Sequence, residues 1–188
     1  MQKCELLKQL KGITGRHLES ISRFKELNET ILNGQLNDKS WSINQCIEHL
    51  SRYADYYLPA LEISIGKAKS IDCAVEYKSG WLGNYFAESM LPESPKSKRM
   101  STFKSMNPFD GKIRSNVVEI FELQLKNLLK LLEISEHKSL NSPRIPITIS
   151  PIIKLKPGDT FRFLINHNER HFLQAFTTLN GIEGKQQN

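Results

Sequence analysis

His167 and His171 stand four residues apart in Phe161-Arg162-Phe163-Leu164-Ile165-Asn166-His167-Asn168-Glu169-Arg170-His171-Phe172-Leu173-Gln174, a run that reads as helix without interruption. That spacing puts both imidazoles on one helix face, one turn apart, where their nitrogens can converge on a single metal ion. His49 lies in a second strongly helical run far upstream. Three imidazoles from two packed helices, with a fourth position left open, make a catalytic-type metal site rather than a closed structural one. An ion held by three neutral imidazoles keeps its double positive charge. It therefore brings bound water to a pKa of about 7 or turns a coordinated thiol into thiolate. Hydrolysis and thiol transfer both follow from such chemistry, and the residues do not choose between them.

Helical spacing also names the neighbours. Gln45, Cys46, Tyr53 and Tyr56 share the side of His49, while Thr160, Phe163, Leu164, Gln174 and Thr178 share that of His167 and His171. These are the candidate pocket wall. Glu48 and Glu169 point elsewhere, so a general base has to come from outside these faces or be the hydroxide on the metal. Cys46 reads as a small buried hydrophobe before a reactive thiol. His17 and His137 have no partner in the pattern and read as surface residues.

Four helices must position these groups. Leu6, Leu7, Leu10, Ile13, Leu18, Ile21, Phe24, Leu27 and Ile31 predict a first helix over Gln2 to Leu32, weakened at Gly12 and Gly15 and stopped by Asn33-Gly34. The second starts near Ser42, because Ser42-Ile43-Asn44-Gln45 has the capping-box pattern, and runs to about Lys69 with a kink expected at Pro59. Trp41 packs at its start. Periodicity vanishes between Ser70 and Lys112, where Gly, Pro, Ser and Lys dominate, and so long an insertion is expected to cover or shape a site. Trp81, Tyr85, Phe86 and Phe103 give it apolar material to pack down, and Asn84 to Met90 could form a short helix. Lys96-Ser97-Lys98-Arg99 reads as a solvated loop. A third helix from Lys112 to about His137 has the clearest apolar face: Ile113, Val117, Ile120, Phe121, Leu125, Leu128, Leu129 and Leu132. Asn141 to Pro151 is too rich in proline for a helix and reads as extended. The fourth helix starts near Pro157, carries Asp159 in its first turn and is expected to end near Asn180-Gly181.

Bulk properties frame this as one domain, residues 1–188, that buries a real core. A net charge of +6, from 26 Lys+Arg against 20 Asp+Glu mixed along the chain, argues for solubility and attraction to anionic ligands above nucleic-acid binding. Cys4, Cys46 and Cys73 are odd in number and show no Cys-x-x-Cys spacing, which fits reduced thiols in a cytoplasmic protein. The first residues, Met1 to Lys8, carry charges where a signal peptide needs an apolar stretch, and no run approaches a membrane span of about 20 apolar residues. Neither export nor membrane embedding is expected.

Several strings resemble the DinB-like superfamily of four-helix-bundle metalloproteins. Trp41-Ser42-Ile43-Asn44-Gln45-Cys46-Ile47-Glu48-His49-Leu50 is similar to the family's Trp-Ser followed by a helix bearing a histidine. The segment from Gly158 to Ala175 resembles its last-helix His-x-x-x-His segment, and Lys104-Ser105-Met106-Asn107-Pro108 is similar to a string found in members of the group. The strings together, in this order, are far more specific than any one of them.

The resemblance implies an all-α fold, a four-helix bundle of DinB-like type with a long insertion between helices 2 and 3. It maps the ligands to His49, His167 and His171 and implies a divalent metal, zinc or nickel. The activities it implies are those of a metal-dependent hydrolase or thiol S-transferase acting on a small molecule, with a low-molecular-weight thiol among the candidates. It further implies a bacterial protein and a homodimer. The alternative is a helical bundle that binds metal, a small ligand or a partner without turnover.

Overall fold

The computed structural model describes residues 1–92, 103–109 and 112–186. Among the described residues, six helices, α1 (Lys3–Lys25), α2 (Glu29–Asn33), α3 (Ile43–Lys67), α4 (Trp81–Ser89), α5 (Val117–Ile134) and α6 (Pro157–Gln186), are joined by two short 3-10 turns and one hairpin of β1 (Ile145–Ile147) and β2 (Ser150–Leu155). The four long helices close a bundle in which α1 and α3 each pack against both α5 and α6. α4 lies on the outside of α6. Fold class is therefore all-α with a small two-stranded addition. No helix among the described residues is long and apolar enough to cross a membrane.

Each long helix forms because a stripe of apolar residues at helical spacing meets the others along the bundle axis. α1 contributes Leu7, Leu10, Ile21 and Phe24, α3 contributes Ile43, Ile47, Leu50 and Leu61, and α5 contributes Phe121, Leu125, Leu128 and Leu132. α6 adds Phe161, Leu164, Ile165 and Phe172. Several helix boundaries depart from the sequence reading. α1 runs unbroken through Gly12 and Gly15, where an added Cβ would meet nothing within 4 Å, so both face outward and the buried stripe carries the helix across them. The chain breaks later, at Glu26 to Asn28, where the Asn28 side chain accepts a hydrogen bond from Ile31 N at 3.0 Å and starts α2 anew. α6 continues past Gly181 to Gln186. Gly181 is a contact residue rather than a stop, since a Cβ there would lie 2.4 Å from Leu36 Cδ2.

α3 begins as expected. Ser42 Oγ accepts from Gln45 N at 3.2 Å while Gln45 Oε1 accepts from Ser42 N at 2.9 Å, satisfying two otherwise orphaned donors. The helix then continues through Pro59 and ends at Lys67, two residues short of the expected Lys69. α5 starts at Val117 rather than Lys112, because Arg114 is drawn aside: its backbone N and Nε both donate to Glu48 on α3. Its last turn tightens into a 3-10 turn ending at His137.

The described part of the insertion is ordered, as its composition leads one to expect. α4 covers much of the span where a short helical piece could be read, starting three residues earlier than Asn84. Of the four aromatic residues expected to pack it down, Phe86 packs against the core, whereas Trp81 is 84 % exposed and Tyr85 and Phe103 are also exposed. The anchor is Asp159 in the first turn of α6. Its carboxylate, 1 % exposed, accepts from Tyr77 OH at 2.7 Å, from Gly80 N at 3.0 Å and from the Ser79 hydroxyl. Gly83 sits so close that a Cβ would come within 2.2 Å of that carboxylate, so only glycine lets α4 approach. The Lys96 to Arg99 run lies outside the described residues. The proline-rich stretch after Asn141 is extended, as its composition requires, and forms the antiparallel hairpin with a register shift between Pro146 and Ile147.

Candidate metal centre

α3 and α6 pack side by side, and this contact brings His49 of the one against His167 and His171 of the other. His49 is 3 % and His167 4 % exposed, and His171 is partly buried where the cluster meets a cavity. Ring centroids are 4.9 Å apart for His49 and His167, 4.6 Å for His49 and His171, and 4.7 Å for His167 and His171. One nitrogen from each ring lies within 4.8 Å of the other two. His49 Nε2 and His167 Nε2 are 3.1 Å apart. Nitrogens on a tetrahedral zinc with bonds of about 2.05 Å are about 3.3 Å from one another, so the donor set fits a divalent ion after small adjustments.

The far nitrogens decide which lone pairs face inward. His49 Nδ1–H donates to the carbonyl oxygen of Met106 at 2.7 Å, and His171 Nδ1–H donates to Gln174 Oε1 at 2.9 Å. Both rings are thus held in the tautomer that leaves Nε2 as a lone pair. His167 Nδ1 is buried without a partner among the described atoms. Burial, first of all, lowers the pKa of all three rings. It takes His49 to about 4 against the opposing Met106 bond, and His171 to about 3 with help from His49, while His167 falls well below its ordinary value with His171 and His49 adding to burial. At neutral pH the trio is uncharged, which is the form that ligates metal.

A cavity of about 900 Å³ opens beside the trio. Its walls are aromatic and apolar, with Trp41, Tyr53, Tyr57, Phe86 and Phe163 around the histidines and Ile147 to Ile149 of the hairpin opposite. Trp41 does more than seat the start of α3: its ring lies 4.9 Å from that of His49 and 5.5 Å from that of His171, stacked on the latter. Lys39 and Arg170 are the charged residues among the described lining, and no carboxylate is among them. Glu48 turns away to Arg52 Nε at 2.8 Å and Arg114 Nε at 3.1 Å, and Glu169 turns to His17 Nε2 at 2.7 Å.

Of the wall residues named from sequence, Tyr53, Phe163 and Gln174 line the cavity, whereas Gln45, Cys46 and Tyr56 do not. Gln45 is occupied by the capping box and by Gln35. Cys46 faces the core, where burial pushes its thiol far above the ordinary range. Tyr56 is exposed, with its hydroxyl near the Pro146 carbonyl at 3.5 Å. Thr160 and Leu164 are buried, and Thr178 donates to the Trp41 carbonyl at 3.1 Å. His17 corrects the reading of a surface residue. It is 2 % exposed, stacks on Phe172 at 4.8 Å and meets Glu169 across the α1–α6 contact. His137 is exposed as expected. The Met106 carbonyl, Tyr57 and the hairpin are parts of the site that helical spacing misses. Met106 carried a signal in the Lys104 to Pro108 string, while Tyr57 and the hairpin carried none.

The family model of the DinB superfamily matches residues 18–175, a span that holds all three histidines. No curated protein and no solved structure matches the chain at a significant level.

Proposed function

The chain belongs to the DinB superfamily, and from that premise we propose that it is a metal-dependent enzyme. In this reading His49, His167 and His171 hold one zinc or nickel ion, and the adjoining cavity takes a small molecule for hydrolysis or for transfer to a low-molecular-weight thiol. The observation that carries the proposal is the convergence of three imidazoles from two helices at the wall of a cavity of about 900 Å³. A divalent ion bound there supplies Lewis acidity, which draws the acidity of a water or thiol towards neutral pH.

The chain's own residues do the rest. Met106 and Gln174 orient two of the three rings through their far nitrogens. Trp41, Phe86 and Phe163 exclude water and offer apolar surface to a substrate body. Burial raises the Tyr53 hydroxyl to about 12 and raises Tyr57 as well, so both stay protonated at neutral pH. Tyr57 Oη accepts the Thr148 N–H at 3.2 Å, which leaves its own hydrogen to be donated towards negative charge developing on a substrate. Lys39 and Arg170 add positive charge to the lining.

The second reading, a bundle that binds metal, ligand or partner without turnover, draws on the absence of a carboxylate from the described lining, which leaves no conventional general base there. A cytoplasmic setting belongs to the proposal through the cysteine pattern, and a bacterial source and a homodimer through the family resemblance. The test compares low-molecular-weight thiols with electrophilic acceptors against ester and amide hydrolysis, using zinc- and nickel-loaded protein and His171→Ala. Turnover in one class, reduced more than about a hundredfold in the variant, is the expected result. A protein that takes up metal yet turns over neither class supports the second reading, and turnover indifferent to His171→Ala removes the site.

A further inference from the structure

Apart from the histidine trio, a pair of nucleophilic side chains lies where the first residues meet the start of the insertion. Residues 1–4 run antiparallel to residues 73–77: Tyr77 N donates to Met1 O at 2.9 Å, Lys3 N to Val75 O at 3.0 Å, and Cys4 N to Cys73 O at 3.1 Å. This pairing sets Cys4 beside Cys73 across a long stretch of chain, joined backbone to backbone, while the Cys4 thiol itself reaches Gln2 Oε1 at 3.7 Å. Both are free and partly exposed, so a small oxidant can reach them. Cys46, the third thiol, is sealed in the core and does not compete. Odd arithmetic in the sequence thus resolves into one adjacent pair and one buried single.

We propose that Cys4 and Cys73 are a redox modification site that closes to an intramolecular disulfide when the protein meets a peroxide. One thiolate attacks an oxygen of hydrogen peroxide, the O–O bond breaks, and the departing hydroxide leaves with the first thiol proton as water. The second sulfur then attacks the resulting sulfenic acid. An S–S bond forms, the S–O bond breaks, and hydroxide departs with the second thiol proton as another water. Two thiols are oxidised and one peroxide is reduced to two waters.

Neighbouring groups suit a lock better than a catalytic thiol. The Lys3 ammonium is pinned beside the pair by its bonds to the carbonyls of Glu136 at 2.9 Å and Lys138 at 3.0 Å. Partial burial and then Cys4 nevertheless hold the Cys73 thiol above its ordinary range, against the pull of Lys3. A thiol raised in this way is a slow solitary nucleophile. A second cysteine on the paired backbone is what the fold provides. The crosslink ties α1 to the segment that continues through Tyr77, itself bonded to Asp159, into α4, whose Phe86 lines the cavity. The inference is independent of whether the histidines bind metal.

The experiment treats the full chain with hydrogen peroxide, then reads intact mass, a peptide map and thermal unfolding. Expected are a loss of about 2 Da, a peptide joining Cys4 to Cys73, and a rise in Tm of about 5–10 °C, all reversed by dithiothreitol. Cys4→Ser and Cys73→Ser show no mass loss and collect oxygen on the remaining thiol instead. Wild type that accumulates separate oxygen adducts on Cys4 and Cys73, or that crosslinks only between molecules, overturns the proposal.

Discussion

Glu48 and His49 are consecutive on α3 and both are 3 % exposed, yet they look into different surroundings. Both Glu48 oxygens are filled, one by Arg52 Nε and the other by Arg114 N and Nε, and Gln124 extends the network to Asp55 at 2.6 Å and to Ser51. His49 has one nitrogen secured by Met106 and the other aimed at a second imidazole 3.1 Å away, with no carboxylate bonded to it among the described residues. Burial lowers three rings here, Arg52 and Arg170 add to the lowering, and no carboxylate among the described residues opposes it. A buried polar group with every valence met holds a fold together, whereas donors that converge without a counter-charge describe the outline of a cation. The difference between neighbours on one helix separates a saturated ion-pair network from a cluster of imidazoles that could hold a metal ion.

Mutation can break that comparison on either side. His167→Ala has the largest expected effect: metal affinity falls by more than the roughly hundredfold that follows loss of an outer partner, while stability without metal changes little. Calorimetric titration with zinc or nickel reads it. Glu48→Ala should behave in the opposite way. Removing the carboxylate leaves Arg52 and Arg114 without their buried partner, and unfolding in denaturant should show a loss of about 2–3 kcal/mol with metal affinity within about threefold of wild type. Equal damage to stability and metal binding in both variants would erase the distinction. Gln174→Ala, which takes the hydrogen-bond acceptor from His171, should weaken metal binding about tenfold at nearly unchanged stability.

The smallest expected effect concerns His17, the buried histidine outside the trio. Burial outweighs the Glu169 contact and keeps its pKa below the ordinary value, so at neutral pH the ring is uncharged and donates Nε2–H to the carboxylate. A folded-state pKa below the unfolded one gives stability that is present above about pH 6.5 and is lost as the pH falls towards the folded value. His17→Gln should therefore cost about 1 kcal/mol at pH 7, and its gap from wild type should narrow between pH 6.5 and 5. Denaturant curves at the two pH values measure this. A gap that widens on acidification would mean that the ion pair, not burial, governs the ring.

How much of this was legible in the sequence depends on the range of the interaction. Ser42 and Gln45 announce the start of α3, and Pro157 that of α6, because the hydrogen bonds involved close within one helical turn. The proximity of His167 to His171 is equally local, and His49 was tied to them by the Trp41 string that resembles the superfamily. The late start of α5 was not legible, since it follows from Arg114 reaching Glu48 across 66 positions. Gly181 looked like a helix stop and proved to be a point of close approach to Leu36, a distinction that only tertiary contact makes. His17 looked solitary because its partner is 152 positions away. The hairpin wall of the cavity left no trace in helical periodicity, and Trp81 drew attention by its size while the holding force resides in Asp159.

The central claim, that the three imidazoles form a metal site, is tested most directly by the metal content of wild-type protein purified without a histidine tag and equilibrated with zinc or nickel. The account expects close to one tightly held divalent ion per chain, falling below about a tenth in His171→Ala. Wild-type protein that retains no ion after equilibration and desalting contradicts it.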